Sequence, residues 1–280
     1  MDLTKNKIGI YEKAMPNAFS WEQKIKVAKA AGFDFIEISI DESDERLARL
    51  EYSKEERVEL KKLLDDNGMH FQSMCLSGHR KYPFGSKDDI IRQRAYEVMD
   101  KAFELALDLG VKNIQLAGYD VYYEESTEET LEMFVIGLTY AARKAEDLGI
   151  MLSIEIMDTW LCGTISRCLD FVNKVNSPNL QIYPDLGNLT QWTDSPEKEL
   201  EIGIDHIQAI HLKDTKENVF KCVPFGTGDV RFNDLFNTLK ELKYDRPFLI
   251  EMWADNNYTY TEEESIKEIS EAKTWLYNRM

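Results

Sequence analysis

Eight short runs rich in Ile, Leu, Val and Phe recur along the chain, and each is followed by a longer, more polar stretch. The runs are KIGIYEK (7–13), FIEISI (35–40), HFQSMCLS (70–77), NIQLAG (113–118), MLSIEIMD (151–158), NLQIYPDLGN (179–188), IQAIHLKD (207–214) and PFLIEMW (247–253). Near-continuous apolar content predicts strands buried on both faces, as parallel strands are. Strand-then-helix alternation specifies an α/β architecture.

The intervening stretches carry helix punctuation. Ser20 precedes Gln23, Ser53 precedes Glu56, Ser126 precedes Glu129 and Thr261 precedes Glu264, each at capping-box spacing. Asp194, Pro196 and Glu197 mark a similar start. Gly32, Gly68, Gly110 and Gly149 each close a stretch just before a strand, where a left-handed backbone suits glycine. Ile90, Ile91, Ala95, Val98, Met99, Ala102, Phe103, Ala106 and Leu109 form an apolar stripe at helical spacing, predicting a helix that packs on the sheet.

Eight such units in 280 residues predict a closed (β/α)₈ TIM barrel, with residues 1–280 forming a single domain. The rival, an open doubly wound sheet, would carry a glycine-rich phosphate loop after an early strand, and none is evident. No Pro- or Ser-rich linker interrupts the chain.

The formal net charge of −17 argues against nucleic acid as a partner, because phosphate contacts need clustered positive charge. It leaves room for a small phosphorylated substrate, which needs only a few local cations. No apolar stretch reaches membrane-spanning length, and the first residues lack the apolar core of a signal peptide. Cys75, Cys162, Cys168 and Cys222 form no CxxC pair. Free thiols and a cytoplasmic setting are the expectation.

The chemistry is carried by four polar residues at the ends of four consecutive strands: Glu155, Asp185, His211 and Glu251. In a barrel, a residue at the C-terminal end of a strand faces the active-site mouth. Three carboxylates and an imidazole converging there suit Zn²⁺, Mn²⁺, Mg²⁺ or Co²⁺. Such a metal polarises a carbonyl while neighbouring carboxylates move protons, which favours proton abstraction beside a ketone.

Several segments, in order, carry a family resemblance: IGIYEKAMP (8–16), CLSGHRKYPFGS (75–86), SIEIMDT (153–159), YPDLGN (183–188), HLKDT (211–215), VPFGTGDVRF (223–232) and IEMW (250–253). Through them the chain resembles the xylose-isomerase-like barrel superfamily. It is most similar to the sugar-phosphate 3-epimerases that act on L-ribulose 5-phosphate and L-xylulose 5-phosphate. The resemblance implies a divalent metal held by Glu155, Asp185, His211 and Glu251. It also implies that Glu155 and Glu251 are the acid/base pair, working from opposite faces of a phosphorylated ketopentose. It further implies carbohydrate catabolism (pentose or ascorbate) and a homodimer.

Further candidates for substrate contact are Asn188, His79, Arg80, Lys213, Lys216, Lys221, Trp160 and Trp253. Arg80 can grip a phosphate bidentately, the lysines after His211 can neutralise one, and the tryptophans can wall a sugar pocket. Gly226 and Gly228 permit a tight loop whose amides can form an anion nest. His70 and His206, before their strands, are expected to be structural. Free-ketose 3-epimerases often place a histidine where this chain has Asn188, a departure that favours the phosphate-sugar branch. A free-ketose epimerase and an aldose–ketose isomerase remain alternatives on the same metal site. A DNA phosphodiesterase on this barrel would need more histidines than the four present and a basic cleft. A non-catalytic sugar-phosphate sensor would have no need of the full ligand set.

Overall fold

A computed structural model describes residues 1–280. Each apolar run supplies one barrel strand: β1 (Ile8–Tyr11), β2 (Phe35–Ser39), β3 (Phe71–Leu76), β4 (Asn113–Leu116), β5 (Met151–Glu155), β6 (Leu180–Tyr183) and β7 (Ile210–Leu212). An antiparallel hairpin, β8 (Asp214–Lys216) and β9 (Val219–Val223), follows before the last barrel strand, β10 (Phe248–Ile250). The eight long-range strands pair in parallel in the order β6-β5-β4-β3-β2-β1-β10-β7. Two isolated parallel bridges, Ile182 with Ile207 and Asp185 with His211, join β6 to β7 and close the barrel. The hairpin is a feature the apolar pattern did not announce.

Helices ring the strands and share with them one core of 66 buried residues. The expected capping boxes at Ser20, Ser53 and Thr261 are present. The fourth is shifted: the helix Glu128–Leu148 is capped by Thr127 with Thr130. Ser126 instead donates to Asp120 Oδ2 at 2.8 Å. Gly110 and Gly149 end their helices at φ of 76° and 66°, where a Cβ would be strained. The stripe at 90–109 lies on the helix Asp89–Leu109 and is buried from Ala95 onward, while Ile90 is exposed. All four cysteines are unpaired. No helix is long and apolar enough to cross a membrane.

The strand C-termini gather at one end of the barrel. His70 and His206 lie at the other end, as expected. His70 is beside the Phe35 ring, and His206 Nδ1 is 2.8 Å from Gln181 Oε1.

Candidate functional site

Glu155 ends β5, Asp185 follows β6, His211 is the middle residue of β7 and Glu251 follows β10. All four are buried, and one ligand atom from each lies within 4.8 Å of all the others. His211 Nδ1 lies 3.3 Å from Glu155 Oε1, 3.9 Å from Asp185 Oδ2 and 3.8 Å from Glu251 Oε2.

The second imidazole nitrogen is engaged elsewhere. His211 Nε2 lies 3.0 Å from Glu37 Oε1, and Ser73 Oγ donates to Glu37 Oε2 at 2.5 Å. A proton on Nε2, held by this fully buried carboxylate, would leave the Nδ1 lone pair for the cluster. Glu37 was not singled out in the sequence. Its signal is an acid inside FIEISI, a run that is otherwise apolar but for its serine.

The electrostatics are those of crowded, desolvated acids. Burial raises Glu155 and pushes Asp185 up to about 8. Burial also acts on Glu251, but Lys213 and His211 overcome it and hold that carboxyl down at about 2. Lys213 Nζ lies 3.2 Å from Asp185 Oδ2 and 3.0 Å from Glu251 Oε2. Even so, neither oxygen has a hydrogen bond of ordinary geometry. Buried polar atoms without partners are rare, and here two of them point at one imidazole nitrogen. The residues therefore fit a divalent cation: N and O donors, close spacing and excess negative charge in a buried setting.

A cavity of about 320 Å³ opens above the cluster, at the low end for small-molecule sites. Of the candidates from the sequence, Glu155, Glu251, Asn188, Arg80, Lys213, Lys221 and Trp253 line it. Asn188 is held by its own donors: its N–H donates to Asp185 Oδ1 at 2.6 Å and its Nδ2 to Ile156 O at 2.8 Å. Its Oδ1 is buried and free to accept. Arg80 stacks on the Tyr122 ring at 4.5 Å and meets Glu42 at only 3.5 Å. Lys213 and Lys221 lie 5.7 and 5.8 Å from the Trp253 ring centre.

Three candidates do not reach the cavity. His79 turns inward: its Nε2 lies 3.2 Å from Ala95 O and its ring packs on Phe84 at 4.5 Å. Burial lowers it to about 4, as suits a neutral core imidazole. Trp160 is 66% exposed, with Arg167 stacked on it, beside a different groove. Lys216 is exposed on the hairpin. The anion nest is real but already filled. Asp214 Oδ2 accepts from the amides of Gly226 and Gly228 at 2.8 and 3.0 Å. The wall opposite the lysines comes from residues the sequence did not flag, among them Tyr11, Lys13, Asp41 and Ser77. Lys13 meets Asp41 at 2.5 Å across the β1 and β2 loops.

The model of a family described as "Xylose isomerase-like TIM barrel" matches residues 25–279. The chain is 47% identical over 284 residues to a putative L-ribulose-5-phosphate 3-epimerase, SgbU, of Haemophilus influenzae, covering 99% of this chain and 98% of that one. It is 46% identical over 273 residues to the L-ribulose-5-phosphate 3-epimerase UlaE of Escherichia coli O157:H7, covering 98% and 94%. Among solved structures it resembles D-allulose 3-epimerase from Methylomonas sp. in complex with D-allulose. That likeness has a TM-score of 0.79 and 21% identity, over 98% of this chain and 97% of the other, and supports the fold.

Proposed function

Because the chain belongs to the xylose isomerase-like TIM barrel family, we propose that it is a metal-dependent 3-epimerase of a ketopentose 5-phosphate, interconverting L-ribulose 5-phosphate and L-xylulose 5-phosphate. The observation that carries this reading is the pair Glu155 and Glu251. They come from strands three steps apart around the barrel, yet face one cavity above a four-ligand cluster.

Inverting a carbon requires a proton to leave one face and another to arrive at the opposite face. Two carboxylates flanking one pocket do this, one as base and the other as acid. One glutamate takes the C3 proton of one epimer and the other returns a proton to the opposite face, with the roles exchanged for the other epimer. Glu155, Asp185, His211 and Glu251 would hold a divalent cation, which would supply Lewis-acid stabilisation of negative charge at the ketone. Asn188 Oδ1 accepts from a sugar hydroxyl, and the Trp253 face excludes water. Lys221, which pairs with no carboxylate of the chain, and Arg80, whose pairing is loose, are the cations free to meet the phosphate. A homodimer is the assembly we infer, with Trp160 and Ile136, 66% and 62% exposed beside one groove, offering it an apolar face.

The test is deuterium exchange. Metal-reconstituted protein with L-ribulose 5-phosphate in D₂O should place deuterium at C3 and yield L-xylulose 5-phosphate. Glu155→Gln and Glu251→Gln should each lose both while remaining folded. Exchange at C1 would indicate an aldose–ketose isomerase, and equal turnover of the dephosphorylated sugar a free-ketose epimerase.

A further inference from the structure

Strand side chains alternate, so His211 and Lys213 project to the same side while Leu212 points to the opposite one. Lys213 is nearly fully buried, with 6% of its side chain exposed, which is rare for lysine. Gly187 leaves room for it: a Cβ there would lie 2.8 Å from Lys213 O and 3.1 Å from Lys213 Cγ. The ammonium ends 3.2 Å from Asp185 Oδ2 and 3.0 Å from Glu251 Oε2. Both of these oxygens also face His211 Nδ1. Asp185 Oδ1 is already taken by the Asn188 amide at 2.6 Å, so Oδ2 is the oxygen left for any cation.

We propose that Lys213 is a positioning residue that sets the metal affinity of the cluster, its ammonium competing with a divalent cation for Asp185 Oδ2 and Glu251 Oε2. This rests on the metal reading above, but not on which sugar is turned over. Two cations drawn to the same buried oxygens repel each other strongly, because little water screens them. Without metal, the same ammonium keeps two neighbouring carboxylates from driving the cluster apart. Lys213 therefore weakens metal binding and stabilises the metal-free fold. A lysine that merely shaped the carboxylates for the metal would strengthen binding instead.

The probe is Mn²⁺, whose free-ion resonance signal reports binding without any turnover. Chelator-stripped wild type should be compared with Lys213→Met, Lys213→Gln and Lys213→Arg. Both neutral variants should bind Mn²⁺ about tenfold tighter or more, while the arginine variant stays near wild type. In EDTA the neutral variants should melt below wild type, and the gap should close in saturating Mn²⁺. If one of them unfolds in EDTA, its affinity is read from the dependence of Tm on Mn²⁺ concentration. Neutral variants that bind Mn²⁺ no better than wild type would overturn the competition. Failure of wild type to bind Mn²⁺ at all would overturn the metal reading, and this proposal with it.

Discussion

His211 owes its usefulness to Glu37, whose carboxylate holds the Nε2–H and leaves Nδ1 for the cluster. Supporting carboxylates of this kind are worth roughly 10–100-fold in metal affinity. Glu37→Gln should lose that much in a calorimetric titration while keeping its far-ultraviolet dichroism, and an unchanged affinity would refute the orienting role. His79 makes a second prediction. Burial lowers its pKa to about 4, below the unfolded value, so the unfolded chain binds the extra proton first. The stability from its neutral form is complete above about pH 6.5 and fades as the pH falls toward 4, by about 3 kcal/mol in all. A His79→Phe variant should show a flatter fall in Tm over that window; parallel curves would count against this account. The two residues also mark where sequence reading succeeds and fails. The four ligands were legible because each breaks an apolar run at the end facing the mouth. His79 was misplaced because Ser77–Arg80 forms a tight helical turn that swings its ring back onto the helix Asp89–Leu109. No local pattern encodes that swing.

Among the elements, the hairpin of β8 and β9 carries Phe220 and Lys221 into the cavity. Asp214 anchors this unit. Its carboxylate accepts from the amides of Thr215, Gly226, Gly228 and Val230 at 3.0, 2.8, 3.0 and 3.3 Å. A Cβ on Gly228 would lie 2.2 Å from Asp214 Oδ1, so the loop closes this tightly only with glycine there. Asp214→Ala should cost about 2–3 kcal/mol, because several amides lose their acceptor. It should also speed tryptic cleavage after Lys216 or Lys221, and cleavage at the wild-type rate would count against the anchor. The barrel strands were readable because burial on both faces writes a continuous apolar run. The hairpin was not, because β9 is largely exposed and its register depends on Asp214 reaching a loop twelve and fourteen residues away. The moved cap at Thr127 has a similar cause: Asp120 takes the hydroxyls of both Ser126 and Thr130.

At the scale of the whole molecule, a metal held by the cluster would be linked to the fold. A cation that binds the native cluster and not the unfolded chain raises stability by mass action. EDTA should therefore lower the Tm of metal-loaded protein, and re-addition should restore it; a Tm indifferent to both would separate the cluster from the fold. The closure of the barrel shows where that linkage would act. Six neighbouring strand pairs and the β10–β7 pair form extended ladders, whereas β6 and β7 meet only through two bridges. The amides that join them are Gln208 to Ile182 O at 3.0 Å and His211 to Pro184 O at 2.8 Å. Asp185 and His211 stand on either side of this join and face each other across it. The barrel thus has a seam, and the ion would be its rivet: the amide protons of Gln208 and His211 would then exchange with solvent in concert, on a clock set by metal release.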